Sequence, residues 1–127
     1  MDTIMEMKTV QKNGVEIAVI KSEDVLVFDT PSALDLIAAV KYETGCERIA
    51  LAKPLLHEDF FRLSNGLAGD ILQKFINYHV KFSVYGDFSA YTSKPLQDFM
   101  YESNNGKDIF FAKDEGDAID RLSRTGC

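Results

Sequence analysis

Residues 48–75 read RIALAKPLLHEDFFRLSNGLAGDILQKF, and the hydrophobic period changes along them. At the start, Ile49 and Leu51 alternate with small residues, which predicts a strand over Arg48 to Ala52. At the end, Leu67, Ile71, Leu72 and Phe75, continued by Tyr78, form the apolar stripe of a helix. The switch from strand to helix falls across Ser64-Asn65-Gly66. A second strand-like run, Lys81 to Tyr85, follows the helix. Strand, helix and strand in that order make a βαβ unit, whose strands run parallel with a right-handed crossover.

The same reading extends outward. Toward the N-terminus, Met7, Thr9 and Gln11, then Val15, Ile17 and Val19, alternate on either side of Asn13-Gly14. That dipeptide suits a two-residue hairpin turn, because both residues tolerate positive φ. Val25 to Phe28 is a short β-rich run. Thr30-Pro31 supplies a helix N-cap with proline at the first helical position, and Leu34, Ile37 and Val40 carry the stripe until Gly45 ends it. Toward the C-terminus, Pro95 opens a helix with Leu96, Phe99 and Met100 inward, stopped by Asn104-Asn105-Gly106. Ile109 to Ala112 is a further strand. Asp114 and Asp117 begin a last helix that buries Ala118, Ile119 and Leu122. The fold class is α/β: a mixed, mostly parallel sheet of five or six strands, about four helices and an N-terminal β-hairpin.

Composition narrows the possible functions. With 127 residues, 46% of them hydrophobic and 27% charged, the chain suits one domain, taken as residues 1–127. A net charge of -6 disfavours nucleic acid, which is bound by clustered Lys and Arg. No apolar run approaches the roughly 20 residues that cross a bilayer. Asp2 and Glu6 stand where a signal peptide would be basic and then apolar, so the expected compartment is the cytoplasm and no membrane partner is expected. Cys46 and Cys127 form neither a disulfide framework nor a zinc pattern.

The order of elements, with Phe60-Phe61-Arg62-Leu63-Ser64-Asn65-Gly66-Leu67-Ala68-Gly69, resembles the sulfate-transporter and anti-sigma-factor-antagonist (STAS) domain. Ser64 falls on that family's phosphoacceptor serine, while Leu63 replaces its aspartate, Asn65 its second hydroxyl and Ala68 a glycine. The resemblance implies a STAS-like fold, a protein partner and a serine kinase acting on Ser64. More closely, and over nearly the whole chain, the sequence resembles an uncharacterised bacterial group, domain-of-unknown-function family 4180. Gly66 to Phe75, Gly86-Asp87-Phe88-Ser89, and Asp98-Phe99 with Glu102-Ser103-Asn104 carry that resemblance, which implies no particular activity.

Two sites compete for function. At the first, Ser64, Asn65, Gly66, Leu67 and Gly69 surround a helix N-terminus, where backbone N–H groups and the helix dipole favour an anion such as a phosphate on Ser64. The structural alternative is that Ser64 merely caps the helix while Gly66 and Gly69 let it approach the sheet. The second is a cleft at the carboxyl ends of the strands, built from Asp29, Lys53, Asp87 and Ser89. There Asp87 would act as a general base if burial raised its pKa.

Other candidates are weaker. His57, Glu58 and Asp59 are consecutive and diverge, so no metal site is expected, and no nucleotide motif calls for a cofactor. His79 lies beyond the far end of the second helix and cannot serve Ser64 as a base. Phe88 and Tyr91, if exposed together, would anchor an interface. The edge hairpin offers self-association, opposed by Lys8 and Lys12. The reading favoured by these features is a regulatory protein-interaction module resembling anti-sigma-factor antagonists. The alternative is a small-molecule binder or enzyme using Lys53 and Asp87.

Overall fold

Asn13 and Gly14 take φ values of 53° and 80°, the left-handed pair required by a two-residue hairpin turn. They join β1 (Met5–Lys12) to β2 (Val15–Ser22) in an unbroken antiparallel register, from Met5 opposite Ser22 to Lys12 opposite Val15. The computed structural model describes residues 5–124. After the hairpin come α1 (Thr30–Thr44), β3 (Arg48–Ala52), α2 (Leu67–Asn77), β4 (Lys81–Tyr85), α3 (Lys94–Asn104), β5 (Ile109–Ala112) and α4 (Glu115–Arg124).

The sheet order is β1-β2-β3-β4-β5, with β2 through β5 parallel. Because each parallel strand lies beside its predecessor, right-handed crossovers put every connecting helix on the same face. Alternation along the strands separates the two resulting cores. Ile49, Leu51, Phe82, Val84 and Phe111 point toward α1, α2 and α3, meeting Ile37, Ile71, Phe75 and Leu96. Ile17, Val19, Ala50, Phe110 and Ala112 point to the opposite face, where α4 covers them with Ala118 and Leu122. The larger core is tied at its centre by the Phe75 and Phe82 rings, stacked at 4.1 Å.

The expected α/β architecture and hairpin are present, and the sheet has five strands. Val25 to Phe28 does not become a sixth. Val27 makes one parallel bridge to Leu56, and the segment instead anchors the connection after β3 through bonds such as His57 N to Val27 O at 2.9 Å. The cap of α1 is Asp29 rather than Thr30. Its Oδ1 accepts from Ser32 N at 2.8 Å, while Ser32 Oγ accepts from Asp29 N at 3.1 Å, a reciprocal capping box. Gly45 ends α1 at φ 73°, as its position suggests.

Nor does β3 run directly into α2. Three short 3-10 turns intervene: Lys53–Leu55, Glu58–Phe61 and Leu63–Asn65. Burial explains the detour, since Leu55, Phe60 and Phe61 all reach the core from these turns. Among the described residues, no helix is long and apolar enough to cross a membrane.

Candidate functional site

The turn before α2 is held from both sides. Leu63 and Leu67, half-buried, pack against the core on either flank of Ser64, Asn65 and Gly66, all three exposed. Asn65 ties the connection to the turn before it and to the helix after it. Its Nδ2 donates to the Asp59 carbonyl at 2.9 Å, and its Oδ1 accepts from Leu67 N, the first amide of α2, at 2.8 Å. Gly66 takes φ 76°, the left-handed conformation that a side chain would strain. The N-cap position is Gly66, which has no side chain to cap with; Asn65, one residue earlier, bonds the first amide of α2, and Ser64 is left facing solvent.

Gly69 is exposed, and an added Cβ there would meet nothing within 4 Å, so it serves no close approach to the sheet. Ala68, one residue earlier, is the buried contact. Beside this turn, His57 Nδ1 accepts from Asp59 N at 3.0 Å, and Asp59 pairs with Arg62 at 3.8 Å. His57 and Asp59 thus order their own turn. Among the described residues there is no group of three or more His, Cys, Asp or Glu arranged to hold a metal ion.

The strand-end residues do not form one cleft. Asp29 is engaged as the α1 cap. Lys53 lies 3.6 Å from Glu58 Oε1 and 4.9 Å from the centre of the Tyr91 ring. The Tyr91 hydroxyl donates to the same Glu58 carboxylate at 2.7 Å. Hydrogen bonding with Tyr91 raises the Lys53 pKa, which keeps the ammonium protonated. Burial is the first cause that raises the Tyr91 pKa. Sequence reading missed both partners, because Tyr91 and Glu58 are 33 residues apart and meet only in the fold.

Asp87 and Ser89 do lie together. They line an open depression of about 530 Å³ at the carboxyl ends of β4 and β5, with Gly86, Lys113 and Arg121 around it. Asp87 Oδ1 accepts from Ser89 N at 2.9 Å, and bonding with Ser89 lowers the Asp87 pKa, with Lys53 adding a smaller effect. An exposed carboxylate held more acidic is a poor proton acceptor, the reverse of what a general base needs. In the same depression, Asp117 accepts from Lys113 N and from Arg121 Nε, both at 3.2 Å. Lys53 stands outside the depression, yet its stem fixes the chain beside it: a Cβ on Gly86 would lie 2.8 Å from Lys53 Cβ.

Phe88 and Tyr91 are half-buried rather than jointly exposed. Tyr91 stacks on Phe61 at 4.8 Å, with Phe88 at 5.9 Å from the same ring, so they extend the core instead of offering an anchor. A second hollow, about 460 Å³, opens at the other end of the sheet beside Arg48, His79, Lys81 and Asp108. Lys81 Nζ is held there by the Lys107 carbonyl at 2.8 Å and by Asp108 at 3.2 Å.

A sequence model for a domain of unknown function, DUF4180, matches residues 12–122. The chain belongs to the DUF4180 family. No curated protein matches its sequence. The DUF4180 match runs from the last residue of β1 to Leu122 in α4, so it takes in both the turn before α2 and the strand-end depression. Membership carries no activity of its own, and the functional reading of this DUF4180 domain rests on the geometry of those two places.

Proposed function

We propose that this DUF4180 domain is a regulatory protein-binding module of the cytoplasm, docking through the turn ahead of α2 and switched by phosphorylation of Ser64. The observation that carries the reading is the placement of Ser64: exposed, excluded from the cap, and fixed on a turn that Asn65 ties at both ends. A kinase can reach such a hydroxyl without unfolding the helix behind it.

Chemistry at the turn supports a switch. A phosphoserine brings nearly two negative charges and three strong acceptors. The first turn of α2 offers the positive end of the helix dipole, and Arg62, largely exposed and tied to Asp59 by a long 3.8 Å contact, is free to turn toward a new anion. Asp59 and Asp70 flank the same turn, so the added charge also repels an acidic partner. This sequence contains no nucleotide-binding motif, so the kinase activity lies outside this domain. The strand-end reading is weakened by the engagement of Asp29 in the α1 cap and by the acidic character of Asp87.

Recovery of partners from the native cell tests the reading with three forms: wild type, Ser64→Ala and Ser64→Asp. The aspartate form is expected to lose or gain a partner that the alanine form binds oppositely. Identical partner sets for the two variants, with no phosphate on Ser64 in any growth condition, would overturn it.

A further inference from the structure

The two edges of the sheet are treated differently. At the β5 edge, the Asn104 side chain closes the outward backbone groups of Phe111, donating from Nδ2 to its carbonyl at 3.0 Å and accepting from its N–H at 2.7 Å. At the β1 edge the strand is eight residues long, contains no proline, and keeps an unbroken register with β2. Long unbroken edges of this kind are usually blocked by charge, bulge or proline. Here the charges of Lys8 and Lys12 are offset by Glu115 and Asp120 of α4, on the same face of the sheet.

We propose that β1 pairs antiparallel with β1 of a second copy, about a two-fold axis at Thr9, to give a continuous ten-stranded sheet. The two-residue turn closes on Lys12 and Val15 as a hydrogen-bonded pair, so bonding to β2 falls to Lys12, Val10, Lys8 and Glu6. The N–H and C=O groups of Gln11, Thr9 and Met7 then face outward. Centred on Thr9, these residues meet one another across the axis: Thr9 with Thr9, and Met7 with Gln11 in both directions. Glu6 falls opposite Lys12 of the second copy, twice by symmetry. A shift that centres the axis on Lys8 sets two lysines face to face. A centre on Met7 pairs fewer of the described β1 residues.

This surface is separate from Ser64, so the two proposals stand or fall independently. Strand-edge interfaces are small, and association is expected at about 10–100 μM. Sedimentation across that range should show a monomer-dimer equilibrium in the wild type. Hydrogen exchange should show the Met7, Thr9 and Gln11 amides becoming protected as concentration rises, with Lys8, Val10 and Lys12 protected throughout. Thr9→Pro removes an outward N–H that β2 does not use and should weaken the dimer tenfold or more. Glu6→Lys, at an exposed position that leaves the backbone intact, should weaken it by a similar factor through repulsion from Lys12. A chain that stays monomeric at about 1 mM overturns the proposal. So does a dimer that survives both substitutions, or one that leaves the three outward amides unprotected.

Discussion

Asn65 and Ser64 are adjacent exposed polar residues with opposite roles. Asn65→Ala removes the bonds to Asp59 O and Leu67 N, and should cost about 1 kcal/mol of stability by thermal or urea melting. Ser64→Ala should stay within about 0.5 kcal/mol of wild type, since the hydroxyl caps nothing. Gly86→Ala forces a Cβ to within 2.8 Å of Lys53 Cβ, an atom rooted next to the backbone. It should therefore destabilise by about 1–3 kcal/mol in the same measurement. The residue scale was the least legible in the sequence. Serine, asparagine, aspartate and threonine all cap helices, and which of two neighbours does so depends on backbone angles that composition does not encode. Hence Asp29 rather than Thr30 caps α1, and it is Asn65 rather than Ser64 that bonds the first amide of α2 behind its N-cap Gly66.

At the scale of elements, α4 is fastened across the second face by Glu115. Its carboxylate meets Lys21 at 2.7 Å, Lys8 at 3.6 Å and the Tyr85 hydroxyl at 3.4 Å. Hydrogen bonding to Lys21 holds the Glu115 pKa below its ordinary 4.5, and the same bond raises Lys21 above 10.5. A depressed carboxylate stabilises the fold above its unfolded pKa and loses that contribution as pH falls through the lower folded value. A raised lysine contributes below its unfolded pKa and loses that contribution as pH rises through the higher folded value. Glu115→Gln should therefore lower stability at pH 7 by less than about 1 kcal/mol, because the groups are partly exposed. In denaturant melts the gap to wild type should close below the folded pKa of Glu115. Asn104→Ala leaves both outward groups of Phe111 without their side-chain partner, and should cost about 1–3 kcal/mol in the same melts. Asp114 Oδ1 accepts from Asp117 N at 2.8 Å, and this start of α4 at Asp114 was readable from the sequence. The closure of β5 by Asn104 was not, because it depends on how α3 lies beside the sheet.

For the whole molecule, the change of period across residues 48–75, completed by the strand-like run Lys81 to Tyr85, established βαβ order. The alternation of strands and helices pointed to a mostly parallel sheet, and the strand order β1-β2-β3-β4-β5 came from the structure. Ile49 and Leu51 on one face and Ala50 on the other show why the alternation was readable even in buried strands. What escaped was long-range. The three turns between β3 and α2 exist because Phe60 and Phe61 must reach the core, and Lys53 follows that detour toward Glu58 and Tyr91 instead of a cleft with Asp29. The same detour leaves Ser64 exposed on a braced turn, which is the basis of the functional account. Its most direct test is site-resolved mass spectrometry of the protein isolated from its native cell across growth conditions. The account predicts phosphate on Ser64 in at least one condition, with Ser64→Ala unmodified; a Ser64 that is never phosphorylated, at full coverage of its peptide, would contradict it.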